Sequence, residues 1–245
     1  MKIGLQLYTV RDPLEKDLLG GLDKIAAIGF KNMELAGLYG KSAAEIKKAF
    51  DDRGLKAVST HVGIDACEKH FDQTLEDAKT FGYNTVIVPW IDIKAYPGGW
   101  PEFAARLNDI GAKFAEHGIT FGYHNHDFEF APVGDTYGFE LLWQHTNPKL
   151  VHAELDLAWI TKPGHSAVDW INRLNGQVVL CHFKDIDAEG NLADVGKGRI
   201  DWAPVIQAAK DANVQYAIIE HDNPGDAFAS IEASHKHLVS LGLTD

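Results

Sequence analysis

Cysteine is almost absent: Cys67 and Cys181 are the only two in 245 residues, far apart and without CxxC spacing. That excludes a disulfide scaffold and a thiolate zinc site, and it fits a reducing compartment. Basic side chains are also scarce, with 23 against 35 acidic ones. The net charge of −12 disfavours nucleic acid as a partner. No apolar run reaches the roughly 18 residues that span a bilayer, and Met1–Tyr8 carries neither a cationic region nor a cleavage site. A soluble, cytoplasmic protein with no membrane partner is expected. A glycine-rich phosphate loop is missing as well, since Tyr8-Thr9-Val10-Arg11-Asp12 follows the first strand. This counts against a doubly wound open sheet.

Present instead are eight short, mostly apolar runs of the kind that form parallel strands buried on both faces. They are Lys2–Tyr8, Asn32–Leu35, Lys56–His61, Thr85–Pro89, Thr120–His124, Val151–Asp156, Val178–Phe183 and Tyr216–Glu220. Amphipathic stretches separate them, among them Leu14–Ile28, Ala43–Phe50, Phe71–Phe81, Phe103–Phe114 and Ser230–Leu241. Gly29, Gly54, Gly82 and Gly118 stand where such helices should end before the next strand. Eight strand–helix units in about 250 residues predict an α/β fold, a (β/α)8 barrel filling residues 1–245 as a single domain.

A barrel of this kind carries its site at the C-terminal ends of its strands. Those ends hold Gln6 and Tyr8, Glu34, His61, Trp90, His124 with His126, Glu154 with Asp156, His182 with Lys184 and Asp185, and Glu220 with His221. Any one of these alone is ordinarily a solvated or capping residue. Four consecutive strands, however, deliver His124, Asp156, His182 and Glu220 to one mouth. Two imidazoles and two carboxylates make a mixed N/O site for one divalent metal ion: Mn²⁺, Co²⁺, Fe²⁺ or Zn²⁺ (or Mg²⁺), more than Ca²⁺. Lys184 shares the inward face of its strand with His182 and is placed to bind substrate, with a salt bridge to Glu154 or Asp185 as the alternative. Tyr8, Trp90, Trp100 and Trp159 are aromatics near strand ends where rings stack on sugars; for Trp100, rim packing is at least as good a reading. Arg199, in the loop after the seventh strand, could bind an anionic or polyol substrate, and Gln6, Glu34 and His61 complete the candidate substrate contacts. His70, His117, His145, His152, His165, His235 and His237 read as surface or packing residues.

The order of these segments resembles the sugar phosphate isomerase/epimerase family of xylose isomerase-like TIM barrels. The marks are Ile3-Gly4-Leu5-Gln6-Leu7-Tyr8, Tyr123-His124-Asn125-His126, Leu155-Asp156, Cys181-His182-Phe183-Lys184-Asp185, the loop from Val195 to Trp202, and Ile219-Glu220. In its ketose epimerases a glutamate, an aspartate, a histidine and a second glutamate hold one metal. Asp156, His182 and Glu220 match three of these ligands, and His124 departs from the fourth. Inosose dehydratases carry histidines at that point. The AP-endonuclease branch is disfavoured, because Trp159 and Pro89-Trp90 stand where it needs histidines. The resemblance implies a metal-dependent sugar isomerase or epimerase working through an enediolate, with Glu220 as base, His124 or His126 as partner acid and Lys184 on the substrate. The alternatives are dehydration or lyase chemistry on keto-sugars, keto-inositols or keto-glycosides, and a non-catalytic sugar-binding barrel or partner-dependent subunit. Barrels of this family often pair, so the resemblance leaves a homo-oligomer possible without fixing the oligomeric state.

Overall fold

The eight apolar runs become eight strands in the computed structural model, which describes residues 1–245. They are β1 (Lys2–Gln6), β2 (Asn32–Leu35), β3 (Lys56–His61), β4 (Thr85–Val88), β5 (Thr120–His124), β6 (His152–Asp156), β7 (Val178–Phe183) and β8 (Tyr216–Ile219). All are parallel to their neighbours and close in the order β1-β8-β7-β6-β5-β4-β3-β2. The predicted barrel is the observed fold, in one domain. Closure leaves no unpaired sheet edge, so every strand can be short and still have its backbone groups bonded.

Local chemistry moves several boundaries. β1 stops at Gln6, two residues early, because the Gln6 side chain accepts a hydrogen bond from Tyr8 N and Leu7–Val10 becomes a 3-10 turn. The expected helix Leu14–Ile28 is instead two, Arg11–Lys16 and Leu18–Ile28. Asp17 sits at the break and caps the second by accepting from Gly20 N. The expected Phe103–Phe114 helix runs longer, over Gly99–Glu116, and the last helix spans Ala227–Ser240. Gly82, at φ 80°, ends the helix Phe71–Phe81 in the left-handed region that side chains other than glycine rarely adopt. Two small hairpins were not foreseen, Pro132–Val133 with Thr136–Tyr137 and Asp185–Ile186 with Leu192–Ala193.

Most apolar burial lies between the barrel wall and the helices, where Phe30, Phe50, Phe103, Phe114, Phe121, Phe139 and Phe183 are fully enclosed. The lumen is different. Ile87, Leu180 and Ile218 form a separate small apolar cluster inside it. Two residues further along their strands the same inward face carries His182 after Leu180, while Ile218 is followed by Glu220. Period-two geometry therefore stacks a polar layer on an apolar plug at the C-terminal mouth.

Candidate metal centre

The register brings the candidate ligands together. Asp156 on β6 pairs with His182 on β7, His124 on β5 pairs with Glu154 on β6, and Gln6 pairs with Glu34 across β1 and β2. His124 Nε2, Asp156, His182 and Glu220 offer ligand atoms that all lie within 4.8 Å of one another, and all four are buried. His182 Nδ1 is 2.9 Å from Glu220 Oε2, and His124 Nε2 is 3.8 Å from Asp156 Oδ2. This cluster can hold a metal ion. A second grouping, His61, His124, Glu154 and His182, lies deeper in the lumen and shares two residues with the first.

Charge in the lumen is concentrated and mostly buried. Lys184 Nζ hydrogen-bonds Asp222 at 2.9 Å and lies 2.8 Å from Glu220 Oε2 and 3.0 Å from Asp156 Oδ2. Asp156 Oδ2 nevertheless has no hydrogen-bond partner, and neither do Glu154 Oε1 and Glu34 Oε1. Buried carboxylate oxygens without partners are expensive, and an added cation is the group that would satisfy them. The donor set and these orphaned oxygens therefore fit a divalent ion.

Proton affinities follow from burial and neighbours. Burial pulls His182 down, but Glu154, Glu220 and Glu34 outweigh it and hold the imidazole well above its ordinary value. Burial raises Glu220 and Glu154, yet Lys184 and His182 hold the first, and His182 and His61 the second, well below the carboxylate range. Asp156 goes the other way: burial wins over Lys184 and His182 and leaves it at about 6. Burial lowers His126 to about 4, assisted by Lys184, and lowers His124 further below its ordinary value with help from His182. Lys184 is raised, because Asp156, Glu220 and Asp222 more than offset its desolvation.

Above the cluster opens a cavity of about 530 Å³ lined by Tyr8, Ala36, His61, Pro89, Trp90, His124, His126, Glu220 and Asp222. Its polar base and aromatic rim, with Trp90 55 % exposed, suit a small polyhydroxylated molecule.

A family model for xylose isomerase-like TIM barrels matches residues 22–241. The chain belongs to that family. It is similar to an inosose dehydratase from Geobacillus thermodenitrificans, 23 % identical over 234 residues that cover 79 % of this chain and 78 % of the relative. Among solved structures, a sugar phosphate isomerase/epimerase from Parabacteroides distasonis superposes with a TM-score of 0.87 at 21 % identity, over 100 % of this chain and 99 % of that one. A probable 3-DHS dehydratase from Bacillus anthracis gives a TM-score of 0.72 at 19 % identity, over 98 % and 99 % of the two chains. These relatives are named as enzymes of small molecules.

Within this xylose isomerase-like barrel the candidate residues separate into groups. His61, His124, His126, Glu220, Tyr8 and Trp90 line the cavity. Gln6 and Glu34 lie beneath it, fully buried and bonded to each other at 2.9 Å, so they face other side chains and not the cavity. Trp159 is half-buried, stacks on His126 with ring centroids 5.9 Å apart, and carries Lys184 Nζ 5.2 Å from its own centroid. Arg199 is exposed on its loop and does not line the cavity. Trp100 is a packing residue, stacked on Phe128. The alternative ion pairs for Lys184 do not form: its partners are Asp156, Glu220 and Asp222. Two residues were undervalued in the sequence. Glu154, two before Asp156, shares its inward face, and Asp222, two after Glu220, continues the same alternation; period two was the available signal.

Proposed function

We propose that this protein is a divalent-metal-dependent isomerase or epimerase that removes a proton from the carbon next to a sugar carbonyl. One observation carries the reading: His124, Asp156, His182 and Glu220 converge within 4.8 Å directly under a sugar-sized cavity. They would hold the metal through two nitrogens and two carboxylates, a set suited to Mn²⁺, Co²⁺, Fe²⁺ or Zn²⁺. The bound metal supplies Lewis-acid stabilisation for the negative charge that develops when the proton leaves.

This chain's own groups do the rest. Glu220 lines the cavity as an ionised carboxylate and takes the proton. His126 lines the same cavity from beyond β5, three strands away around the barrel, and so addresses a different side of the substrate. A proton returned on that side, relayed from cavity water through the neutral His126 imidazole, inverts or moves the carbonyl-adjacent centre. Lys184 keeps Glu220 oriented and charged, and Tyr8 and Trp90 offer faces for the apolar side of a sugar ring.

Elimination is the second reading, favoured by imidazole in place of carboxylate on β5 and by similarity to proteins named inosose dehydratase. Here Glu220 takes the carbon-bound proton, the electron pair forms the double bond, and Glu220 hands that proton to the departing β-oxygen, which leaves as water.

Metal-loaded protein incubated with ketoses and keto-polyols in D₂O separates the readings by proton NMR. Deuterium incorporation with an inverted or relocated carbonyl centre supports isomerisation; an enone absorbance supports elimination. Glu220→Gln should lower either rate by about 10²–10⁴-fold while retaining the fold by circular dichroism. Bound metal with neither exchange nor elimination on any substrate would leave a sugar-binding barrel.

A further inference from the structure

Resting on the metal site proposed above, we infer that Glu154 is the positioning residue that sets which ring nitrogen of His124 faces the metal. One oxygen, Glu154 Oε2, lies 3.0 Å from His124 Nδ1, 3.2 Å from His182 Nε2 and 2.7 Å from His61 Nε2. The opposite nitrogens, His124 Nε2 and His182 Nδ1, are those turned toward Asp156 and Glu220. The two imidazoles thus span two layers, each with one nitrogen on a deep carboxylate and one toward the mouth.

A histidine ligand must be neutral and must present a lone pair, so its other nitrogen carries the proton and needs an acceptor. Glu154 Oε2 provides that acceptor for His124. For His182 the acceptor is Glu34 Oε2, 2.6 Å from Nε2, with Glu154 Oε2 further off at 3.2 Å. His124 Nδ1 has no second acceptor, so His124 depends on Glu154 alone.

The deeper grouping of His61, His124, Glu154 and His182 is not read as the working metal site. The mouth grouping instead contains Asp156, whose Oδ2 lacks a hydrogen-bond partner, and Glu220, which lines the cavity, so a metal there meets both an unsatisfied carboxylate and the substrate space. Glu154 acts through His124 and never touches substrate.

The test compares wild type, Glu154→Gln and Glu154→Asp for Co²⁺, by chelator competition, visible spectrum and proton NMR of the Co²⁺-loaded protein in water. The expected results are one equivalent bound to wild type and two shifted, solvent-exchangeable imidazole N–H signals. Glu154→Gln should bind about 10- to 100-fold more weakly with an altered ligand-field spectrum, because a neutral amide oxygen is a weaker acceptor for the ring N–H than a carboxylate. Glu154→Asp, which keeps the carboxylate, should recover part of the loss. Wild-type affinity and spectrum in Glu154→Gln, or absence of the exchangeable signals in wild type, would overturn the role of Glu154 and leave the metal site standing. Two equivalents bound to wild type would overturn it too, by making Glu154 a ligand. Failure of wild type to bind any Co²⁺ would instead remove the metal reading, and this inference with it. If Glu154→Gln does not fold, the wild-type N–H signals and stoichiometry decide alone.

Discussion

Asp185 shows how much one buried carboxylate can organise. Its Oδ1 accepts from Ile186 N and Ile200 N, and its Oδ2 accepts from Gly196 N and Trp202 Nε1, all between 2.9 and 3.2 Å. These bonds tie the glycine-flanked loop after β7 down beside Lys184, so a residue that looked like part of the mouth serves as a loop anchor. Asn at this position would present an NH₂ group to two N–H donors. Asp185→Asn should cost about 3 kcal/mol, measured as a lower denaturant midpoint at unchanged slope. Glu129 is the converse case, a buried carboxyl that burial raises to about 7 although Tyr123 OH and His126 N both donate to it. With the folded value above the unfolded one, the folded state binds more protons between pH 4.5 and 7. Its contribution is complete below about pH 4.5 and is lost as pH rises past 7, by about 3 kcal/mol. Glu129→Gln should flatten that part of a stability-against-pH curve. A wild-type curve flat over that window would contradict the assignment.

At the scale of elements, propensity and packing compete, and magnitudes decide. Gly111 sits inside the helix Gly99–Glu116, where alanine would ordinarily gain about 1 kcal/mol. An added Cβ would fall against the Leu150 carbonyl oxygen, inside the 3.0 Å that Cβ atoms do not cross, and a backbone oxygen cannot swing aside. Gly111→Ala should therefore destabilise by about 1–3 kcal/mol, read as a lower thermal midpoint. Strand identity was legible because each strand is an isolated apolar run, and β2, β3, β5 and β7 match residue for residue. Element ends were less legible. The break at Asp17 and the early end of β1 at Gln6 depend on single side chain-to-backbone bonds, which periodicity does not register. The two hairpins have only two residues per strand, too short to leave a pattern.

For the whole molecule, the balance lies in the lumen. Glu34, Glu154, Asp156, Lys184 and Glu220 are buried in one cluster linked through His182 and Lys184, and several of their oxygens lack hydrogen-bond partners. A bound cation should offset that cost. At a free metal concentration about 100 times Kd, the native state gains about 2.7 kcal/mol, which for a chain of this size raises the thermal midpoint by about 5–10 °C. Scanning calorimetry with and without EDTA measures it, and an unchanged midpoint across Mn²⁺, Co²⁺ and Zn²⁺ would speak against a metal at this mouth.

The scarcity of cysteine and of basic residues, the strand count and the residue at each strand end were written in the chain itself. Spacing along one strand depends only on backbone geometry, so period two suffices to say that His182 and Lys184 share a face. What Glu154 touches was not legible. Its three imidazoles come from β3, β5 and β7, and only barrel closure and inter-strand register bring them to a single oxygen. The same closure turned Gln6 and Glu34 from candidate substrate contacts into a buried pair, and gave Lys184 three carboxylate partners from strands and loops distant in sequence. Composition and periodicity act within a segment, whereas hydrogen-bond partners and burial are properties of segments brought together.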